Sequence, residues 1–228
     1  MEMKIGKLAD YLSCLYGPMG INANWGALDS QRNQSVTRSS YTVTAETFFE
    51  SGMLPAVPRG GTGILLSPSA NTGLYEEAFA KTLPFKVLAG DIVGVRRQRD
   101  HSIPLQLNAF YLPIRDNTVD VIFDRLGALW HAVDYDITHH NDHDKLTHFI
   151  LGEYYRVLKP GGALILDGDS QFDSIVYSTI YKLQRFLSTV PENLLRSLSA
   201  YFDKMKRVAV ADHYYSQYYF FYKPKNRK

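Results

Sequence analysis

The residues able to do chemistry in this sequence gather where short apolar runs stop. The run ILL at 64–66 ends in Ser67, Pro68, Ser69 and Asn71, and Gly73 precedes the helix-like stretch LYEEAFAKTL. A strand that runs into small polar residues and then a helix outlines a ligand-binding turn. Small residues let a ligand approach the backbone, and the first amides of a helix can donate to an anionic group. The run FKVLAG ends in Asp91, followed by Ile92. IPLQL ends in Asn108 and Ala109, and TVDVIF ends in Asp124 and Arg125. Carboxylates and carboxamides at such ends can accept from the hydroxyl and amino groups of a ligand. Asp124 and His131 are the candidates for moving a proton.

Other clusters invite chemistry less strongly. The stretch THHNDHDKLTHF at 138–149 holds His139, His140, His143 and His148 beside Asp142 and Asp144. Its spacing is not that of a zinc helix, and its acids suit the start of a helix, so no metal is expected. Arg96, Arg97 and Arg99 form a basic group that suits either a solvated turn or an anionic substrate. The aromatic run HYYSQYYFFYK, at period two, is expected to be a buried final strand rather than a stacking surface for nucleic acid. Net charge over the 228 residues is +2, which gives no bias toward nucleic acid or membrane. Cys14 is the only cysteine, so neither an internal disulfide nor a cysteine zinc site can form. No stretch approaches the ~20 apolar residues of a membrane span, and no signal peptide is evident. A soluble, cytoplasmic protein is expected, with a small-molecule substrate and room for a homodimer.

The elements that must position these residues follow from pattern. Residues 3–16 can form an amphipathic helix, and a long polar stretch follows to about residue 40. A helix is expected from Thr44 to about Leu54, capped by Thr44. From Thr62 onward short apolar strands alternate with helices. The strands are TGILLS, FKVLAGD, IPLQLNA, TVDVIFD and ALILDGD, with KPGG read as a turn before the last. Alternation of this kind predicts a parallel sheet covered on both faces. The closing pair RVAVAD and QYYFFYK, joined by a few residues, must be antiparallel. The expected architecture is α/β: a Rossmann-like, seven-stranded, mostly parallel sheet over 61–228 with an antiparallel last strand. Residues 1–60 are expected to form a helical cap or lid.

Two stretches are more specific than the pattern. NAFYLPIRDNTVDVIFD at 108–124 and EYYRVLKPGGALILD at 153–167 resemble the class I S-adenosylmethionine-dependent methyltransferases of the small-molecule type. The points of likeness are Leu112-Pro113, Asp116, Asp120 and the whole run RVLKPGG, and the resemblance covers about residues 62–223. It implies S-adenosylmethionine as cofactor and methyl transfer to a small acceptor. It implies that Asp91 accepts from the ribose hydroxyls and that Asn108, where the family usually has Asp, meets the adenine. Ala109 and Ile92 would wall the base. Asn108 suits a local side-chain turn equally well. It also implies that the first turn holds the amino-acid end of the cofactor. There the family carries an acid and three glycines, and this chain has Ser67, Ser69, Asn71 and Gly73. Asp124 and Arg125 would line the crevice, and His131 lies near a histidine that many such enzymes carry. The departures in the first turn leave a second reading open: a catalytically silent protein of the same fold acting as a binding or regulatory partner.

Overall fold

The computed structural model describes residues 38–57, 61–70, 73–91, 100–125, 127–129, 132–133, 145–167, 192–210 and 217–225. Residues from Arg38 onward form one compact unit. The elements in order are α1 (Arg38–Glu50), β1 (Gly63–Ser67), α2 (Leu74–Thr82), β2 (Phe85–Asp91), β3 (Ile103–Gln106) and β4 (Val119–Asp124). They are followed by α3 (Lys145–Val157), β5 (Leu158–Asp167), α4 (Glu192–Ser199), β6 (Lys204–Ala209) and β7 (Gln217–Tyr222). One sheet holds seven strands in the order β3-β2-β1-β4-β5-β7-β6. β1 to β5 run parallel, and β7 is antiparallel to both β5 and β6. The expected Rossmann-like sheet is therefore present, with its antiparallel last strand.

Strand side chains alternate between faces, so each strand feeds two layers. Leu65, Val87, Val121, Phe123, Ile165 and Phe220 share one face with Ala45 and Phe48 of α1 and Phe79 of α2. Phe48 sits at its centre, with ring centroids 5.0 Å from Tyr218, 5.3 Å from Phe220 and 5.7 Å from Phe79. Asp124, the next residue after Phe123, points the other way and meets Tyr154 of α3. Helices thus cover both faces.

Three local expectations change. The helix read as Thr44 to Leu54 is instead Arg38–Glu50. Thr44 is fully buried in mid-helix rather than a cap. Nearby Thr47 donates its hydroxyl to the Val43 carbonyl four residues back, at 2.7 Å. Such back-bonding lets hydroxyl residues stay inside a helix. Of the cap expected over 1–60, residues 38–57 are described, and there α1 builds the core of the sheet domain. Second, KPGG is not a turn: it lies inside β5. The pairing of β4 with β5 shifts between Val119 and Val121, and Gly161 has φ 79°. A bulge that needs a left-handed residue explains the first glycine. The second allows close approach, since a Cβ on Gly162 would lie 2.9 Å from the Asp120 and Lys159 carbonyls. Third, β6 starts at Lys204, earlier than expected. As the edge strand it exposes Lys204, Lys206 and Arg207, charges that discourage pairing with another chain. Within β7, Tyr218 to Phe221 are all buried, so the aromatic run is the buried strand expected, covered on both faces rather than at period two.

The motif residues that carry the resemblance turn out to be scaffold. Arg156 donates to the carbonyls of Leu112 and Ile114 at 2.9 and 2.8 Å and to Asp116 at 2.7 Å. It also pairs with Glu153 at 2.8 Å, and Glu153 accepts from the Leu112 amide. Lys159 bonds both oxygens of Asp120, which in turn accepts from the Ile64 amide at 2.8 Å. Together these bonds tie the entries of β1, β4 and β5.

Candidate functional site

In an open α/β sheet a ligand sits beyond the carboxyl ends of the strands, where strand order reverses. Here that point lies between β1 and β4. Register places Ser67 opposite Ala89, Asp91 opposite Gln106, and Asp124 opposite Leu166. The ends of β1 to β4 therefore bring Ser67, Asp91, Asn108 and Asp124 to one rim of the sheet.

The first turn folds tightly onto β2. Ser67 is 2% exposed, and Pro68 and Ser69 form the turn. The Ala70 amide donates to the Gly90 carbonyl at 2.7 Å, and the Gly73 amide donates to Ala70 at 2.8 Å. Gly73 has φ 68° and caps α2 with no side-chain bond, so a left-handed residue is needed there. Gly90 has no room for a side chain: a Cβ would meet Leu107 at 2.5 Å and the Ser67 carbonyl at 3.1 Å. The sequence suggested the start of α2 as an anion site. Its first turn instead carries Glu76 and Glu77, which already match the positive end of the helix. Asn71 lies outside the described residues.

Asp91 closes β2 and is half-buried; its carbonyl accepts from Leu107 at 3.0 Å. Asn108 turns its side-chain oxygen onto the Phe110 amide at 2.9 Å. Its backbone carbonyl accepts from Tyr111 at 3.0 Å. The local side-chain turn that the sequence allowed is therefore present. Ala109 is buried. Phe110 packs at 6.0 Å from Phe149 of α3, so its ring belongs to the core behind the rim. Ile92 lies outside the described residues, as do Arg96, Arg97 and Arg99.

Asp124 is fully buried. One oxygen accepts from the Leu129 amide at 3.0 Å and from the Tyr154 hydroxyl at 2.8 Å. The other has no hydrogen-bond partner among the described residues. Burial pushes its pKa up to about 6, against the pull of the Leu129 and Tyr154 bonds, and nearby Asp167 adds to the rise. Asp124 holds the turn after β4, and in this conformation it does not reach solvent. Arg125 lies with its guanidinium 4.8 Å over the ring of Tyr75. The Ser69 hydroxyl accepts from the Ala128 amide at 3.0 Å. His131 lies outside the described residues.

Tyr41 was an aromatic candidate for the substrate cap, but sequence reasoning missed Tyr75 and Tyr218 beside this rim. Tyr75 on α2 stands edge-on to Tyr41 of α1, at 4.6 Å. Tyr218 of β7 lies across from Asp167, and its buried hydroxyl has no hydrogen-bond partner among the described residues. Burial raises the Tyr218 pKa well above the usual phenol range, and nearby Tyr75 adds to the rise. No local pattern links positions 41, 75, 125 and 218; only the topology does. Glu77, Asp100 and His101 also converge, with ligand atoms within 4.8 Å. Glu77 is already engaged by the His101 ring at 2.7 Å, by the His101 and Ser102 amides and by Lys81. Burial works to raise its pKa, but those bonds hold it at about 2. The cluster fastens the approach to β3 onto α2. The histidines and acids at 139–144 lie outside the described residues.

No protein-family model and no curated protein matches the chain. Many solved structures do. One is a chain assigned as an S-adenosyl-L-methionine-dependent methyltransferase from Methanococcus maripaludis. It is 18% identical with TM-score 0.52, covering 89% of this chain and 93% of that one. A second is a chain assigned as a methyltransferase, solved in complex with the Haloferax volcanii Trm112 methyltransferase activator. It is 14% identical with TM-score 0.58, covering 90% and 98%. A third is human N-acetylserotonin methyltransferase in complex with S-adenosylmethionine. It is 15% identical with TM-score 0.57, covering 94% of this chain and 59% of that one. At these identities the likeness establishes the fold, which is that of the class I methyltransferases.

Proposed function

We propose that the chain binds S-adenosylmethionine at the β1–β4 switch point and transfers its methyl group to a small-molecule acceptor. The observation that carries this reading is the arrival of Asp91 and Asn108 beside the first turn, at the carboxyl rim of a sheet with the methyltransferase strand order. The neighbour solved with S-adenosylmethionine supports it. When bound, the cofactor would supply a methyl carbon activated by its sulfonium. What the chain contributes is binding and orientation, the largest levers a protein has on such a displacement. Asp91 accepts from the ribose hydroxyls. Asn108 offers its NH2 to a ring nitrogen, because its oxygen already serves Phe110. Ala109 and Ile92 wall the base. Tyr41, Tyr75 and Arg125 border the acceptor side, and His131 takes the acceptor proton. With Asp124 buried as a turn holder, His131 is the stronger candidate of the two for base. The setting is cytoplasmic; no helix among the described residues is long and apolar enough to cross a membrane.

Isothermal titration with S-adenosylmethionine and S-adenosylhomocysteine tests this. Binding of both is expected, and heat signals absent up to about 1 mM would end the reading. One observation favours a second reading, a silent binding partner of the same fold. Ser67 offers no carboxylate for an ammonium, and the first turn is closed on protein rather than left open. A neighbour solved with an activator subunit is compatible with such a role.

A further inference from the structure

A ligand at the switch point must lie between two loops, the one leaving β1 and the one leaving β4. In this chain a side chain already joins them. The Ser69 hydroxyl accepts from the Ala128 amide at 3.0 Å across that gap. The join is fitted on both sides. A Cβ on Gly127 would lie 2.7 Å from Ser69 Cβ and 2.8 Å from its hydroxyl, and it would overlap the Asp124 carboxylate. Ser69 can sit so close only because residue 127 is glycine. Asp124 fixes the far side by taking the Leu129 amide and the Tyr154 hydroxyl. Behind Ser69, the Ala70 amide is fastened to Gly90 at 2.7 Å. The β1 turn is thus held from both sides with its serine in the crevice.

We propose that Ser69 sets the cofactor affinity of this protein by occupying the space between the β1 and β4 loops, so that the amino-acid end of the ligand binds only after the Ser69–Ala128 contact opens. This rests on the cofactor reading above. It reverses the role first expected for Ser69, from holding the ligand to excluding it. The apparent dissociation constant is the intrinsic one divided by the fraction of molecules open, so a residue that favours the closed form weakens binding without touching the ligand.

The test is titration of Ser69→Gly and Ser69→Ala against wild type with two ligands. S-adenosylhomocysteine carries the amino-acid end, and 5′-methylthioadenosine lacks it. Ser69→Gly should bind S-adenosylhomocysteine about five- to tenfold more tightly. Ser69→Ala, which loses the hydrogen bond but keeps the Cβ, should fall between. Methylthioadenosine affinity should stay within about twofold across all three, since the nucleoside lies toward β2 and β3. Equal or weaker binding of S-adenosylhomocysteine by Ser69→Gly overturns the proposal, as does equal tightening of both ligands. If wild type binds neither ligand and Ser69→Gly binds S-adenosylhomocysteine, the closure stands and the cofactor reading of the natural chain falls. If neither protein binds either ligand, both fall.

Discussion

The two rims of the sheet are built in different ways. At the rim where strands enter, charged side chains reach across sequence and close on backbone. Arg156 binds two carbonyls and two acids, and Lys159 grips Asp120. Buried Lys223 donates to Asn117 and to the Tyr155 and Leu158 carbonyls while lying 4.2 Å over the Tyr155 ring. At the rim where strands leave, the bonds run instead through the uncharged side chains of Ser69 and Asn108 and the buried carboxyl of Asp124. Two buried oxygens there, on Asp124 and Tyr218, have no hydrogen-bond partner among the described residues. Charged bridges hold one rim; the other keeps polar groups at the strand ends.

The comparison can be broken most easily at Arg156. Arg156→Met should destabilise the protein by about 3 kcal/mol, because it leaves the Leu112 and Ile114 carbonyls and the mostly buried Glu153 without their donor, while exposed Asp116 turns to water. The check is the urea midpoint, with cofactor affinity in the folded protein unchanged. A loss of affinity with little loss of stability would show that the entry rim is not merely scaffold.

The next effect lies at the opposite rim and depends on pH. The Asp124 pKa is raised from 3.8 to about 6 by burial, so the folded state holds a proton that the unfolded state releases. Stability should therefore fall as pH rises from about 4 to about 6, by about 3 kcal/mol in all. Asp124→Asn should flatten that slope. An unchanged slope in the variant would assign the titration elsewhere.

Gly127→Ala should cost less, about 1 kcal/mol, as the two loops shift to admit a methyl group. Its signature is a change in ligand affinity larger than its change in melting temperature would suggest. A variant with wild-type affinity would mean that the loops adapt freely.

The motifs of the entry rim were legible in the sequence, and their work was not. RVLKPGG and LPIRD carried the family resemblance, yet KPGG read as a turn and lies inside β5, and the bonds of Arg156 to Leu112, Ile114 and Asp116 act across 40 to 44 positions that local spacing does not show. The strand ends were legible too, since each apolar run stops at its polar residue, as at Asp91 and Asp124. What the residues do there was harder to read. Ser69 is a small polar residue whether it holds a ligand or fills its place, and only its contact with Ala128, 59 positions away, separates the two. Tyr41 and Tyr218 reach the rim through α1 and β7, elements from opposite ends of the chain. α1 was misplaced because its hydroxyl residues, at Thr44 and Thr47, look like caps when read locally and are helix interior once the core buries them.

The central claim is that the exit rim holds S-adenosylmethionine through the strand-end acid of β2. The most direct measurement is titration of S-adenosylhomocysteine into wild type and Asp91→Ala, with matched melting temperatures confirming the fold. Saturable binding by wild type and a loss of at least about tenfold in the variant, the loss of charge-assisted hydrogen bonds to the ribose, is the predicted result. Equal affinity in the two proteins would contradict it.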